Sequence, residues 1–117
     1  MKLELREYNV TPKIEERNDF YISVSSDNIK YNKDVLLDKE IIEKIFSLLK
    51  KYKEKVLNLT NEVTHNYKGG RQQIITIQYD DGKMFHLIGN TPNKEIADFY
   101  LKLKEEILKI INKWDNN

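Results

Sequence analysis

The chain has 117 residues, 39% of them hydrophobic and 33% charged, with four Gly, two Pro and no Cys. That length suits a single domain, 1–117, with one packed core, and the composition excludes collagen, a disulfide scaffold and a low-complexity chain. Twenty Lys and Arg against 19 Asp and Glu leave a formal charge of +1, so net charge gives no case for a nucleic-acid protein or an acidic tail.

The N-terminus alternates. Leu3 and Leu5 stand between Lys2, Glu4 and Arg6, the period of a half-buried strand. Charges at nearly every second position cannot form the apolar centre of a signal peptide. No run approaches the length of a membrane span. A soluble, cytoplasmic protein is expected. Residues 9–18 are polar, include Pro12 and read as a connection. In 19–25, Phe20, Ile22 and Val24 share one face of a strand, with Tyr21, Ser23 and Ser25 on the other. Ser26, Asp27 and Asn28 form a turn cluster, and Ile29 to Tyr31 a short return strand.

Asp38 suits a helix N-cap, with Glu40 in the first turn. Ile41, Ile45, Leu48, Tyr52, Val56 and Leu59 step by three and four. They predict one amphipathic helix with a broad apolar stripe. Residues 61–71 break the pattern at Gly69 and Gly70. Alternation resumes from Gln73 to Tyr79, and Asp80-Asp81-Gly82-Lys83 signals a hairpin. Two registers compete. A two-residue turn sets Ile77 opposite His86. A three-residue loop with Gly82 left-handed sets Ile77 opposite Phe85 and Ile75 opposite Leu87. The second gathers four large apolar residues on one face, and register follows the buried face. Thr91 and Pro92 then open a last helix as N-cap and first residue. Its stripe runs from Ile96 to Trp114.

The order strand, hairpin, helix, hairpin, helix predicts an α+β two-layer sandwich. An antiparallel sheet of about five strands carries two helices on one face. The other face holds Tyr21, Ser23, Thr76, Gln78, Met84 and His86, as antiparallel sheets with one wet face allow.

The chemistry-bearing residues are few. His65 and His86 lack helical ligand spacing, so no metal or cofactor is expected. Asp80 and Asp81 read as turn residues first. No Ser lies in a Gly-x-Ser-x-Gly elbow, and a lone histidine on a sheet face is more often a surface side chain than a base. Lys68-Gly69-Gly70-Arg71 places two cations around a Gly pair. It lacks the P-loop pattern and reads foremost as a solvated loop. Lys50, Lys51, Lys53 and Lys55 form a basic cluster that Lys68 and Arg71 would extend into a nucleic-acid surface if their loop folds back near the helix end. Tyr52, within it, lies on the apolar stripe and reads as core. Only three arginines serve the whole chain.

The leading expectation is a small non-enzymatic protein that binds another protein. The contact residues expected are Tyr21, Lys68, Arg71, Met84 and His86, types suited to interfaces or loops. Residue usage rich in Lys, Asn, Ile and Tyr fits an AT-rich bacterium or its phage. Together with the small size, the single domain and the lack of a catalytic constellation, it suggests an inhibitor of host defence, anti-CRISPR-like, or an immunity protein. The alternative is a nucleic-acid-binding accessory protein using the lysine cluster. A third reading is an enzyme using His65 or His86, and homodimerisation through the wet face is the alternative to a foreign partner there.

Overall fold

A computed structural model describes residues 1–10, 18–32, 34–59, 70–89 and 94–115. Strand β1 spans Lys2–Val10, β2 Asn18–Val24, β3 Ile29–Tyr31 and β4 Asp34–Leu36. Helix α1 follows at Lys39–Lys51 and α2 at Lys53–Leu59. Strands β5, Gly70–Gln78, and β6, Met84–Gly89, precede helix α3, Lys94–Asp115. The sheet is antiparallel and six-stranded, in the order β4-β3-β2-β1-β5-β6. The first strand is therefore central, although the hairpins that flank it come later in the chain.

Parity sorts the side chains. Leu3 pairs with Val24 on one side and Ile77 on the other, and Leu5 with Ile22 and Ile75. These residues are buried, together with Phe85 and Leu87 of β6. Ile41, Ile45, Leu49 and Val56 meet them from α1 and α2, and Phe99, Leu103 and Ile107 from α3. One sheet face and the helix layer thus enclose a single core, the α+β two-layer arrangement read from the sequence. Glu7 continues the parity of Leu3 and Leu5 and is only 2% exposed. A carboxylate so placed needs a charged partner. Lys104 of α3 supplies one at 3.1 Å, its ammonium lying 4.3 Å from the centre of the Phe20 ring.

Local signals explain most boundaries. Asp38 caps α1, its Oδ1 accepting from the N–H groups of Glu40 and Ile41 at 2.9 and 3.1 Å. Ser25 Oγ accepts from the N–H groups of Asp27 and Asn28 and closes the β2–β3 turn. Between β5 and β6 the three-residue loop is present. Gly82 has φ of 85°, and Ile77 faces Phe85 while Ile75 faces Leu87. The Tyr79 N–H donates to Lys83 and the Gly82 N–H to Tyr79, at 2.9 and 3.0 Å. Thr91 and Pro92 lie outside the described residues.

One expectation, the helix count, needs correction, and the sheet is one strand wider than the five or so expected. The sheet has a sixth strand, β4, because Asn32 takes the left-handed conformation (φ 53°) and turns the chain back. Asn tolerates that conformation better than other non-glycine residues. Its N–H also donates to the Tyr21 carbonyl at 2.9 Å. Among the described residues the helices number three, because the long helix predicted from Asp38 to Leu59 divides at Tyr52. Flanking bonds persist, Tyr52 N–H to Leu48 C=O at 3.2 Å and Val56 N–H to Tyr52 C=O at 2.9 Å. Between them the Leu49 carbonyl accepts from the Tyr79 hydroxyl at 2.8 Å. That carbonyl is the acceptor the Lys53 N–H would use in an unbroken helix. A side chain entering the ladder is a recognised cause of such breaks.

Candidate functional site: the helix-free sheet face

The outer face of the sheet is built by the residues of opposite parity. Lys2, Glu4 and Arg6 of β1 lie at its centre. Ser23 and Tyr21 of β2 stand opposite Glu4 and Arg6 on one side, and Thr76 and Ile74 of β5 on the other. His86 pairs with Thr76, Met84 with Gln78 and Ile88 with Ile74. Among the described residues no helix covers this face. A shallow depression of about 280 Å³ crosses its end near the β5–β6 turn, lined by Glu4, Ser23, Thr76, Gln78 and Met84 among others.

Three of the predicted contact residues share this surface. Tyr21 is half-buried, its ring 5.6 Å from the Arg6 guanidinium. Arg6 donates to Glu4 at 2.8 Å. His86 Nδ1 lies 3.0 Å from Thr76 Oγ1, a polar cross-strand contact in which either group can donate. Met84 is 62% exposed. The three are not contiguous. Tyr21 sits three strands from His86, about 14 Å at ordinary strand spacing. Lys68 lies outside the described residues, as does His65. Arg71 contributes backbone to β5 opposite Asn9, and its side chain is not among those described. Trp114 belongs to α3 by its backbone alone.

The lysine cluster divides in space. Lys53 pairs with Asp81 at 2.6 Å and lies 5.0 Å from the Tyr79 ring centre. That bond, backed by the Lys83 N–H, holds the Asp81 carboxyl below its ordinary range. Lys51 lies over the Tyr52 ring and Lys55 over Phe99. Lys50 is exposed. Tyr52, read as core, is buried, but its hydroxyl donates to the Glu106 carboxylate at 2.8 Å. That bond pushes the phenol pKa up, with burial adding to it. Carboxylates are therefore interleaved with the lysines, and the potential is mixed.

Sequence reasoning missed Lys2, Glu4 and Arg6 as part of this face. Their alternation was visible, but the central position of β1 was not. Ile74 and Ile88 were missed because their strands were read for the buried parity. Among the described residues, no group of three or more His, Asp or Glu is placed to hold a metal ion. Nor is any helix there long and apolar enough to cross a membrane. Compared with protein-family models, curated proteins and solved structures, the chain matches none of them.

Proposed function

We propose that the protein is a non-enzymatic binding protein that holds and blocks another protein with the outer face of its sheet. One observation carries the reading: the helices pack on one face and leave a broad, shallow, mixed-polarity surface opposite. Hydroxyl and amide groups at Ser23, Thr76 and Gln78 surround the Glu4–Arg6 pair. Apolar groups flank them, Met84 at one side and Val35, 57% exposed, at the other. Such a surface suits a flat protein partner that pairs with the polar centre through hydrogen bonds, while Tyr21 and Met84, residue types enriched at interfaces, supply contact area. Within this reading, a phage or mobile-element inhibitor of host defence, anti-CRISPR-like, or an immunity protein is the kind of protein meant. The nucleic-acid alternative has less support. Phosphate binding needs local positive charge, and Asp81 and Glu106 stand among the lysines.

The test is affinity capture with tagged protein from the lysate of an AT-rich bacterium, with and without nuclease. A Ser23→Arg/Thr76→Arg double variant runs beside the wild type. The proposal expects one protein retained through nuclease treatment and lost in the variant. A retained set that vanishes with nuclease, or that the variant captures equally well, refutes it.

A further inference from the structure

The sheet has two edges, and they differ. The β4 edge is three residues long and begins with Asp34. The β6 edge is six residues long, Met-Phe-His-Leu-Ile-Gly, with no Asp, Glu, Lys, Arg or Pro. Sheets normally blunt an edge with charge, Pro, a bulge or brevity, because its free groups are a template for another strand. Here β4 is blunted and β6 is not.

The free groups on β6 can be assigned. The Tyr79 N–H donates to the Lys83 carbonyl at 2.9 Å, which sets the phase of the ladder. Antiparallel pairs alternate, so the main chains of Phe85, Leu87 and Gly89 turn toward β5. Those of Met84, His86 and Ile88 turn outward. Among the described residues, no hydrogen bond reaches those outward groups.

We propose that β6 pairs antiparallel with β6 of a second copy of this chain, about a two-fold axis at His86. Three outward residues at alternate positions are their own complement in this arrangement. His86 meets His86 of the second copy, and Met84 meets Ile88 twice. Isologous contacts of this kind close into dimers. Charge selects the occupant. One third of the chain is charged, yet β6 and the adjoining outer-face residues Ile74, Thr76 and Gln78 carry none. Identical strands approach without like charges, whereas a partner recognised by charge finds nothing here to hold. A formal charge of +1 per chain adds little repulsion between copies. The two sheets become one continuous sheet, and their outer faces lie side by side. This dimer goes beyond the binding reading above and does not depend on it.

Sedimentation equilibrium on the full chain, from low to high micromolar concentration, is the test. The expected mass rises toward twice the 14.0 kDa of the chain. His86→Lys places two ammonium groups together at the axis and is expected to remain monomeric. His86→Glu alone is expected to do the same, and an equimolar mixture of the two variants to restore the dimer. His86 is exposed, so each variant keeps the wild-type melting curve at concentrations where the wild type is monomeric. The chain has no cysteine, which makes a covalent readout clean. His86→Cys is expected to oxidise to a disulfide-linked dimer, since opposed hydrogen-bonded residues lie about 5.5 Å apart at Cα. Ser23→Cys, three strands away on the same face, is expected to stay monomeric. A wild type that stays monomeric at high micromolar concentration overturns the proposal, including the case where a foreign strand occupies this edge instead. So does a dimer that His86→Lys leaves intact.

Discussion

Tyr79→Phe removes one oxygen atom and tests the link between the second hairpin and the break in the helix layer. Tyr79 is 3% exposed, and its hydroxyl donates to the Leu49 carbonyl at 2.8 Å. Its edge-to-face contact with Phe85, at 5.7 Å, and the Lys53 ammonium above the ring need no hydroxyl. The substitution therefore isolates one buried hydrogen bond, with an expected cost of about 1–2 kcal/mol near neutral pH. Alkaline pH adds a second signature. Burial, with the Asp81 charge adding to it, pushes the Tyr79 phenol up to about 12 from an ordinary 10.0. Above pH 10 the unfolded chain releases this proton while the folded chain keeps it. Stability is thus fully present below pH 10 and falls as pH rises toward 12. At about 1.4 kcal/mol per pH unit the ceiling is about 3 kcal/mol. Urea denaturation followed by circular dichroism, at neutral pH and at several values between 10 and 12, gives both quantities. The difference between wild type and variant cancels the ionisation of the other tyrosines and the lysines. A variant as stable as wild type at neutral pH, with the same alkaline slope, refutes the reasoning.

Three further substitutions test other parts of the account. Asp38→Ala deletes the cap that serves the N–H groups of Glu40 and Ile41, and a urea titration is expected to show a loss of about 1 kcal/mol. Gly89→Ala sets a Cβ 3.0 Å from the backbone Cα and N of Ala97, pressing α3 away from β6, and is expected to cost about 1–3 kcal/mol in the same assay. Asp81→Asn removes a carboxylate whose pKa is lowered chiefly by its bond with Lys53. Its contribution is present above pH 3.8 and lost as pH falls through the lowered value, so the variant is expected to show a shallower loss of stability in acid titration.

Much of the fold was legible because it rests on local patterns. Asp38 and Gly82 act through residues adjacent to them, and the alternation of β2, β5 and β6 is a period read directly from side-chain type. The hairpin register was also legible, because only one choice brings Ile75, Ile77, Phe85 and Leu87 together. What escaped came from distant pairs. The helix break depends on a bond between residues 30 apart in sequence, Tyr79 and Leu49. The central place of β1 depends on pairing with two strands that local pattern cannot rank. Glu7 follows the parity of Leu3 and Leu5, so its burial was readable, but its partner Lys104 lies 97 residues away. Of the candidate site, Tyr21, Met84 and His86 were placed on the correct face by parity alone. The lysine cluster looked basic in one dimension because the carboxylates beside it come from the hairpin, where Asp81 pairs with Lys53, and from α3, where Glu106 accepts from Tyr52.

The central claim is that the outer sheet face holds another protein. A photo-crosslinking amino acid placed at Ser23, near the middle of that face and away from β6, tests it most directly. The same group placed at Lys44, exposed on α1, is the comparison. Irradiation in host cells followed by mass spectrometry is expected to join position 23 to one foreign protein and position 44 to none. Crosslinks from position 44 alone, or to nucleic acid from either position, would contradict the account.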